Sequence, residues 1–368
     1  MDIIVLSIPA YFFFIGVESL VGWRRGLRIF RSADVAANLM LGLAQTVVGV
    51  LAAFWITGNY ERLYHHRFFD ISTGNTLTWV ILFFAQDFLY YWFHRASHRM
   101  NLGWAGHAPH HQSEDFNFAV ALRQGPFQPI FSSVFYLPLA LFGFPPAMFA
   151  TVIGINTVYQ FFLHTELVKT IGPLEWILNT PSHHRVHHGC NGRYLDKNHG
   201  AILIIWDRIF GTFEPERDHP VYGTTVPVNS FNPVTCTLAP FRDLVDLCRA
   251  APRFLDKLRL WFMPPEWCPE GVSQPVVDVL PDRPKFHVRP SRAANVYFLV
   301  GFILSTGVSL FFLFKGSQAP VLGKAAFAVW FVATIGGLGA VIEGRSWAKW
   351  VEAARIVATP LVVFLLMG

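Results

Sequence analysis

The chain has little charge. Of its 368 residues only 14% are Asp, Glu, Lys or Arg, while 53% are hydrophobic. A soluble domain carries about 25% charged residues. An ordinary soluble globule is therefore excluded, and a mean hydropathy of +0.38 points to an integral membrane protein. Cysteine is also scarce. Cys190, Cys236, Cys248 and Cys268 show no CxxC spacing, which argues against a disulfide framework or an iron–sulfur site. Cys190 reads as a small filler residue. No long Lys/Arg tract is present and the net charge is only +5. The arginines sit beside apolar segments, which suits lipid headgroups and not nucleic acid. A haem-type CxxCH, a ferredoxin cysteine run and a glycine-rich dinucleotide fingerprint are all missing. The chain thus carries no electron-transfer module of its own.

Long apolar runs are abundant. Membrane spans are expected over 3–21, 35–57, 74–93, 294–314, 322–342 and 352–367. Region 127–165, interrupted by Pro129, Pro138, Pro145 and Pro146, reads as a tight hairpin or two short spans. At about 20 residues per crossing this gives seven or eight spans. The first run lacks a basic n-region and is followed by Arg24, Arg25, Arg28 and Arg31. It reads as a retained span with a cytoplasmic basic loop behind it. From that side the chain crosses out at 35–57 and returns at 74–93. The 127–165 hairpin leaves and returns, so 166–293 is cytoplasmic as well.

The expected fold is an all-α integral membrane protein, a multi-span helical bundle with a cytoplasmic histidine-rich di-metal site. Its parts are N-terminal transmembrane helices (1–73), a histidine-rich core with the membrane hairpin (74–213), a cytoplasmic Pro-rich region (214–293) and C-terminal transmembrane helices (294–368). The Pro-rich region holds Pro215, Pro220, Pro264, Pro265 and Pro281, with a short helix expected near 240–260.

What the chain has in excess is clustered histidine. Nine of its 15 histidines fall in three groups: His94 and His98; His107, His110 and His111; His183, His184, His187 and His188. Spacing of four places His94 and His98 on one helix face, able to share a metal. His107-Ala-Pro-His110-His111 and His184-Arg-Val-His187-His188 are two HxxHH elements. By the topology above all clusters meet on one face. His164 ends the apolar hairpin and points back into the same site. Gln160 lies one turn earlier, in reach of a metal or its water. His199 is a further candidate ligand, and Asn198 a contact for metal-bound water. His65, His66, His219 and His287 read as ordinary loop residues.

So many imidazoles suggest two metal ions with open positions. Nitrogen-rich sites suit iron, copper, nickel or zinc. Oxidation of an unactivated lipid carbon needs a redox metal and selects iron; two zinc ions would instead serve a hydrolase. A membrane metal-binding or transport protein is the non-enzymatic alternative, though transport would favour polar groups along the spans. Metal-bound histidines usually donate their second N–H to a carboxylate or carbonyl. Glu114, Asp115, Glu166 and Asp87 are candidates for that role; Asp87 lies within an apolar run, where an ionisable group marks function. Asn117 and Arg123 follow the second cluster and can orient the site or a polar cofactor. Asp207 and Arg208 read as a structural ion pair on an interfacial element.

With these motifs the chain resembles the fatty acid hydroxylase/sterol desaturase superfamily of membrane di-iron enzymes. The resemblance covers 87–199 and rests on His94-Arg-Ala-Ser-His98 and the two HxxHH elements. It implies that these eight histidines hold two iron ions, with His164 a ninth ligand. Some relatives carry histidine where this chain has Gln160. A closer resemblance, over about 80–215, is to the tetrahydrobiopterin-dependent ether-lipid branch. It rests on His111-Gln-Ser-Glu114-Asp-Phe-Asn117, Leu178-Asn-Thr-Pro-Ser-His-His-Arg-Val-His-His-Gly189 and Ile204-Ile-Trp-Asp-Arg-Ile-Phe-Gly-Thr-Phe-Glu214. One departure is His199, where those relatives have tyrosine. The resemblance implies dioxygen as co-substrate and hydroxylation of the ether-adjacent carbon of an alkylglycerol, with aldehyde released. It also implies a membrane lipid substrate and a reductant that is tetrahydrobiopterin or a separate redox protein. Glu114 would tune a ligand or meet the pterin; Arg123 and Glu166 are the other cofactor-binding candidates. The alternative within the superfamily is a fatty acyl or sterol hydroxylase or desaturase fed by an electron-donor protein.

Overall fold

The computed structural model describes residues 3–273, 279–280, 282–315 and 318–367; Pro281, named above, lies outside them. Among the described residues the chain is all-α, with two isolated β-bridges. Its helices are α1 (Ile3–Arg24), α2 (Ser32–Leu51), α3 (Ala53–Tyr64), α4 (Thr76–Arg99), α5 (Asn101–His111), α6 (Phe118–Ala121), α7 (Gln128–Phe142) and α8 (Pro146–Phe161). There follow α9 (Pro181–His187), α10 (Ile205–Ile209), α11 (Pro233–Ala250), α12 (Phe254–Arg259), α13 (Arg292–Lys315), α14 (Val321–Ile342) and α15 (Ala348–Met367).

Among the described residues five helices are long and apolar enough to cross a membrane: α1, α2, α13, α14 and α15. That is fewer than the seven or eight crossings expected, for three local reasons. The 35–57 run breaks at Ala52 (φ −94°, ψ 9°), and its second half becomes α3, packed on α7. Helix α4 continues well past residue 93 and carries Gln86, Asp87, His94, Arg95, His98 and Arg99, so its composition is not that of a lipid-exposed span. The 127–165 region forms two helices of 15 and 16 residues, each short of the roughly 20 a crossing needs. They are not a tight pair: α7 lies against α3 and α4, and α8 against α1 and α4. Proline explains the division. Pro129 and Pro146 sit in first turns, where a missing N–H costs nothing. Between the helices Gly143 adopts φ +106°, and a Cβ there would lie 1.9 Å from the Phe69 carbonyl oxygen. The 240–260 helix is likewise two elements, α11 and α12.

One apolar core joins α2 to the C-terminal helices through Met40, Phe298, Phe312, Phe327, Trp330 and Phe331. A second joins α3, α4, α7 and α8 through Tyr60, Leu82, Tyr136, Leu139 and Met148. Helix α4 belongs to this second core and ends in the histidine cluster, so membrane-side packing fixes where His94 and His98 stand.

Candidate metal centre

Four segments converge. Helix α4 supplies His94 and His98, α5 supplies His107, His110 and His111, the turn after α8 supplies His164, and α9 with its cap supplies His184, His187 and His188. All nine are buried. The α4–α5 corner is made by Met100, whose extended backbone (φ −133°) stops one helix and starts the next. The exposed amides at the start of α5 are satisfied from elsewhere: Asn101 N donates to Met263 O and Leu102 N to Trp261 O, both at 2.9 Å.

The nine rings form two groups, each with its ligand nitrogens within 4.8 Å of one another. One group is His94, His98, His107, His111 and His187; the other is His110, His164, His184 and His188. The two HxxHH elements divide reciprocally. In α5, the first and third histidines join the first group and His110 joins the second. In α9, His184 and His188 join the second group and His187 crosses to the first. Residues at i+3 and i+4 lie near residue i but on opposite sides of it, about 100° apart around the helix, so each short helix can serve both groups and stitch them together.

The five-ring group has a recognisable shape. His94, His107, His111 and His187 form a circuit with successive centroid separations of 4.9, 4.8, 4.8 and 4.3 Å. His98 stands over that circuit, 4.8–5.3 Å from each member. The four rings of the circuit thus stand at the corners of a rough square, with His107 and His187 6.5 Å apart across it and His98 near all four.

Several ring protons point away from the centre, as metal ligation requires. His110 Nδ1 donates to Arg123 O at 2.6 Å and His164 Nδ1 to Gln160 O at 2.9 Å. A carbonyl only accepts, so both Nε2 atoms are bare lone pairs, and they face each other at 3.3 Å. His94 and His187 are fixed the same way, by His199 O at 2.8 Å and Lys197 O at 3.0 Å. His107 Nδ1 meets Gln128 Oε1 at 2.7 Å, and its Nε2 lies 3.1 Å from the Nε2 atoms of His94 and His111. The Nε2 atoms of His98, His187 and His188 have no hydrogen-bond partner. Two ligands at right angles on a metal, each about 2.1 Å away, stand about 3.0 Å apart. The His94–His107, His107–His111 and His110–His164 spacings match that edge, and a cation removes the lone-pair repulsion.

Seven of the rings are held neutral, as ligands must be. Burial lowers His107 to about 3, with the neighbouring His98 adding to the effect. Burial lowers His164 to about 4. His110, His111, His184, His187 and His188 are all pushed well below the ordinary imidazole range by burial and then by adjacent imidazoles. His98 is turned by a carboxylate: its Nδ1 lies 3.6 Å from Asp196. Burial opposes ionisation of Asp196, but the contacts with His98 and Arg99 prevail and hold its carboxyl at about 2.

The remaining candidates stand outside both groups. Asp87 accepts from Ile202 N (3.0 Å), Leu203 N (3.2 Å) and Trp206 Nε1 (2.9 Å), tying the loop after His199 to α4. Gln160 turns away, accepting from Tyr90 Oη at 2.6 Å and donating to Asn156 Oδ1 at 2.5 Å. Asn117 caps α6 and donates to Ile29 O. The Arg123 guanidinium is spent on Pro109 O (2.6 Å), Asn38 Oδ1 (3.1 Å) and Gln112 Oε1 (3.3 Å), while its carbonyl orients His110. Asn198, at φ +56°, braces His183 O and Glu214 O. His183 packs on Phe213. His199 is fully buried beside the first group, 5.0 Å from His98 between centroids, with neither ring nitrogen partnered. Asp207 does not pair with Arg208. It accepts from His199 N, Gly200 N and Thr212 Oγ1, each at 2.7 Å, while Arg208 lies 3.7 Å over the Phe213 ring.

Three positioning residues carry no motif. Gln128 and Asp196 orient His107 and His98. Glu18, buried in α1, accepts from Thr165 Oγ1 at 2.5 Å and Phe118 N at 2.7 Å, so the first span grips the residue after His164. Only an acidic residue inside an apolar run signals Glu18 in sequence.

Two cavities adjoin the centre. One, of about 610 Å³, is bordered by His98, His111, His187 and His188 and walled by Trp104, Ala105, Ala108, Leu244 and Leu247. The other, of about 540 Å³, is charged: Arg25, Arg28, Lys169 and Arg283 face Glu114, Asp115 and Glu166. Its wall includes Phe116, stacked on Tyr222 at 5.0 Å and on His164 at 5.6 Å. Glu114 accepts from Phe286 N at 2.7 Å, and Tyr222 donates to Glu166.

Known proteins match this arrangement. The fatty acid hydroxylase family model matches residues 79–212. Alkylglycerol monooxygenase of Homo sapiens is 35% identical over 363 residues, 96% of this chain and 81% of that protein. The Danio rerio enzyme of the same name is 36% identical over 95% of this chain and 80% of its own length. Lathosterol oxidase of Mus musculus is 27% identical over 37% of this chain and 44% of its own. No solved structure matches the chain significantly.

Proposed function

Because the chain belongs to the alkylglycerol monooxygenase family, within the fatty acid hydroxylases, and so is a di-iron membrane monooxygenase acting on lipid C–H bonds, we propose that its substrates are alkylglycerols. The oxidised position is the carbon beside the ether oxygen. The observation that carries this reading is similarity along 96% of the chain to a relative of that name, joined to two all-histidine groups bordering a lipid-sized cavity.

Iron held by the two groups supplies dioxygen activation and the electron transfers that C–H oxidation requires. The protein does the rest. Carbonyls of Arg123, Gln160, Lys197 and His199 fix four imidazoles in one tautomer. Trp104, Ala105, Ala108, Leu244 and Leu247 take the alkyl chain and exclude water from the reacting carbon. The hydroxylated ether is a hemiacetal, which collapses to an aldehyde and a glycerol.

The charged cavity is the place for a polar reductant. Glu114 and Glu166 both face it, and Phe116 separates it from His164 by one ring. Tetrahydrobiopterin is the reductant this reading assigns there; Arg123, buried away from that cavity, acts through His110. The centre faces the cytoplasm. Support comes from the basic loop after α1, whose Arg31 reaches Asp115 at 2.8 Å and so lies on the site's side.

Iron content and aerobic turnover of the purified protein on an alkylglycerol, with and without tetrahydrobiopterin, test the reading. Two irons and pterin-dependent aldehyde release are expected. Two irons without turnover under any pterin condition would overturn the ether-lipid assignment and redirect it to acyl or sterol substrates with a protein reductant.

A further inference from the structure

Helix α12 and the turn after it have an apolar side with no cover. Phe254, Leu255, Leu258 and Phe262 are 72, 63, 51 and 64% exposed. At 100° per residue they fall within one arc of about 100°. Asp256 and Leu260 point the other way and are buried. Basic residues border the arc: Arg249, Arg253, Lys257 and Arg259, with Arg249 paired to Asp246, Arg253 to Glu270 and Arg259 to Asp256 through exposed guanidinium groups. An apolar face rimmed by Lys and Arg is the composition of a helix lying in a lipid headgroup layer.

Two connections give this face its setting. First, α12 packs on α11, and α11 packs on α2 and α14, two of the membrane-length helices. The arm is therefore continuous with the membrane-embedded bundle. Second, the arm walls the cavity at the metal centre: Leu244 and Leu247 from α11 and Pro265 and Cys268 after α12 line it. The turn is tied to the catalytic helix by the Trp261 and Met263 carbonyls that cap α5, and Glu266 reaches Arg99 at 2.6 Å.

We propose that the α12 arm binds the bilayer surface and that lipid substrate enters the 610 Å³ cavity beside it, directly from the membrane. This rests on the lipid-oxidation reading above for the identity of what enters. The face itself is assigned to phospholipid, with a second copy of the chain as the competing occupant.

Two measurements on the full-length protein in phosphatidylcholine/phosphatidylserine vesicles test it. An environment-sensitive fluorophore is attached at Leu255→Cys, with Cys248 and Cys268 replaced by serine. Blue-shifted emission, quenched by doxyl-labelled lipid at low protein-to-lipid ratio, is expected. Emission unaffected by the doxyl lipid, or shifting only as protein density rises, would overturn the membrane contact in favour of self-association. The Phe254→Glu/Leu258→Glu double variant then tests entry. It is expected to keep wild-type iron content and wild-type rates on a short, water-soluble alkylglycerol, and to lose at least tenfold in kcat/KM on a long-chain alkylglycerol in vesicles. Equal rates in vesicles, or equal loss on both substrates, would overturn entry at this arm. Failure of the wild type on every alkylglycerol would instead strike the substrate reading, and the quenching result would stand apart from it.

Discussion

His107 shows how the centre is set one side chain at a time. Its Nδ1 is held by Gln128, at the start of α7, so its Nε2 faces inward. Loss of such an outer partner typically costs 10–100-fold in metal affinity. Gln128→Ala should fall in that range in a competitive iron titration, whereas Gln160→Ala, whose amide faces Tyr90 and Asn156, should leave the stoichiometry at two. Equal losses in both variants would refute this division of labour. Protonation gives a second expectation. A histidine held low in the fold binds fewer protons than its unfolded counterpart, whose pKa is about 6.5. Stability is therefore present above about pH 6.5 and lost as pH falls toward about 4 for His164 and about 3 for His107. The metal-free protein should show a thermal midpoint that drops between pH 7 and 5; a flat profile would contradict neutral burial. At this scale the sequence reveals the clustered histidines better than the residues that hold them in place. HxxHH spacing is a local pattern, but Gln128, Asp196 and Glu18 act across distances that no local pattern encodes. Asn117, Arg123 and Asn198 look like active-site polar groups in the sequence; folded, they brace backbone.

At the scale of elements, the centre depends on close approach. Gly125 lies so near α5 that a Cβ would stand 1.7 Å from the Gly106 carbonyl oxygen, with His107 Cα at 3.7 Å. Gly125→Ala must therefore push α5 from the segment that delivers Gln128. We expect destabilisation of about 2 kcal/mol or more and lower iron occupancy, read by denaturation in detergent and by metal analysis. The α1 contact is gentler. Glu18→Ala removes the acceptor for Thr165 and Phe118 and should lower occupancy of the four-histidine group, while Glu18→Gln, which keeps one acceptor, restores much of it. Mössbauer spectra would show whether one iron environment broadens ahead of the other. Element boundaries were only partly legible. Apolar runs mark α1, α2 and α13–α15 well, because a span is a long uniform signal. The breaks at Ala52 and Gly143 follow from packing on α7 and against Phe69, which composition does not record.

At the scale of the molecule, lipid-embedded helices and a polar centre are built as one piece. Helix α4 runs from the second apolar core into the His94–His98 face, and α1 and α2 reach the site through Glu18 and Asp34, the latter accepting from Ser113 Oγ at 2.8 Å. Metal removal should consequently be felt globally. At a thousandfold excess over Kd, one bound ion contributes about 4 kcal/mol. Chelation should then lower the thermal midpoint of tryptophan fluorescence from the whole chain, and a change confined to the site would contradict this coupling. The overall plan, spans around a histidine face, was legible because both signals are compositional; the sharing of each HxxHH element between two groups was not, since it needs both short helices in place.

That sharing has a consequence for the life of the protein. Before iron is bound, the converging lone pairs of the two groups repel one another. Newly made chains are expected to insert their spans without iron, with the region between α4 and α9 less stable until the metal is bound. Such half-finished molecules are what cellular quality control removes. Abundance should therefore rise and fall with iron supply even at constant messenger level, making the enzyme's own turnover a gauge of the metal it needs.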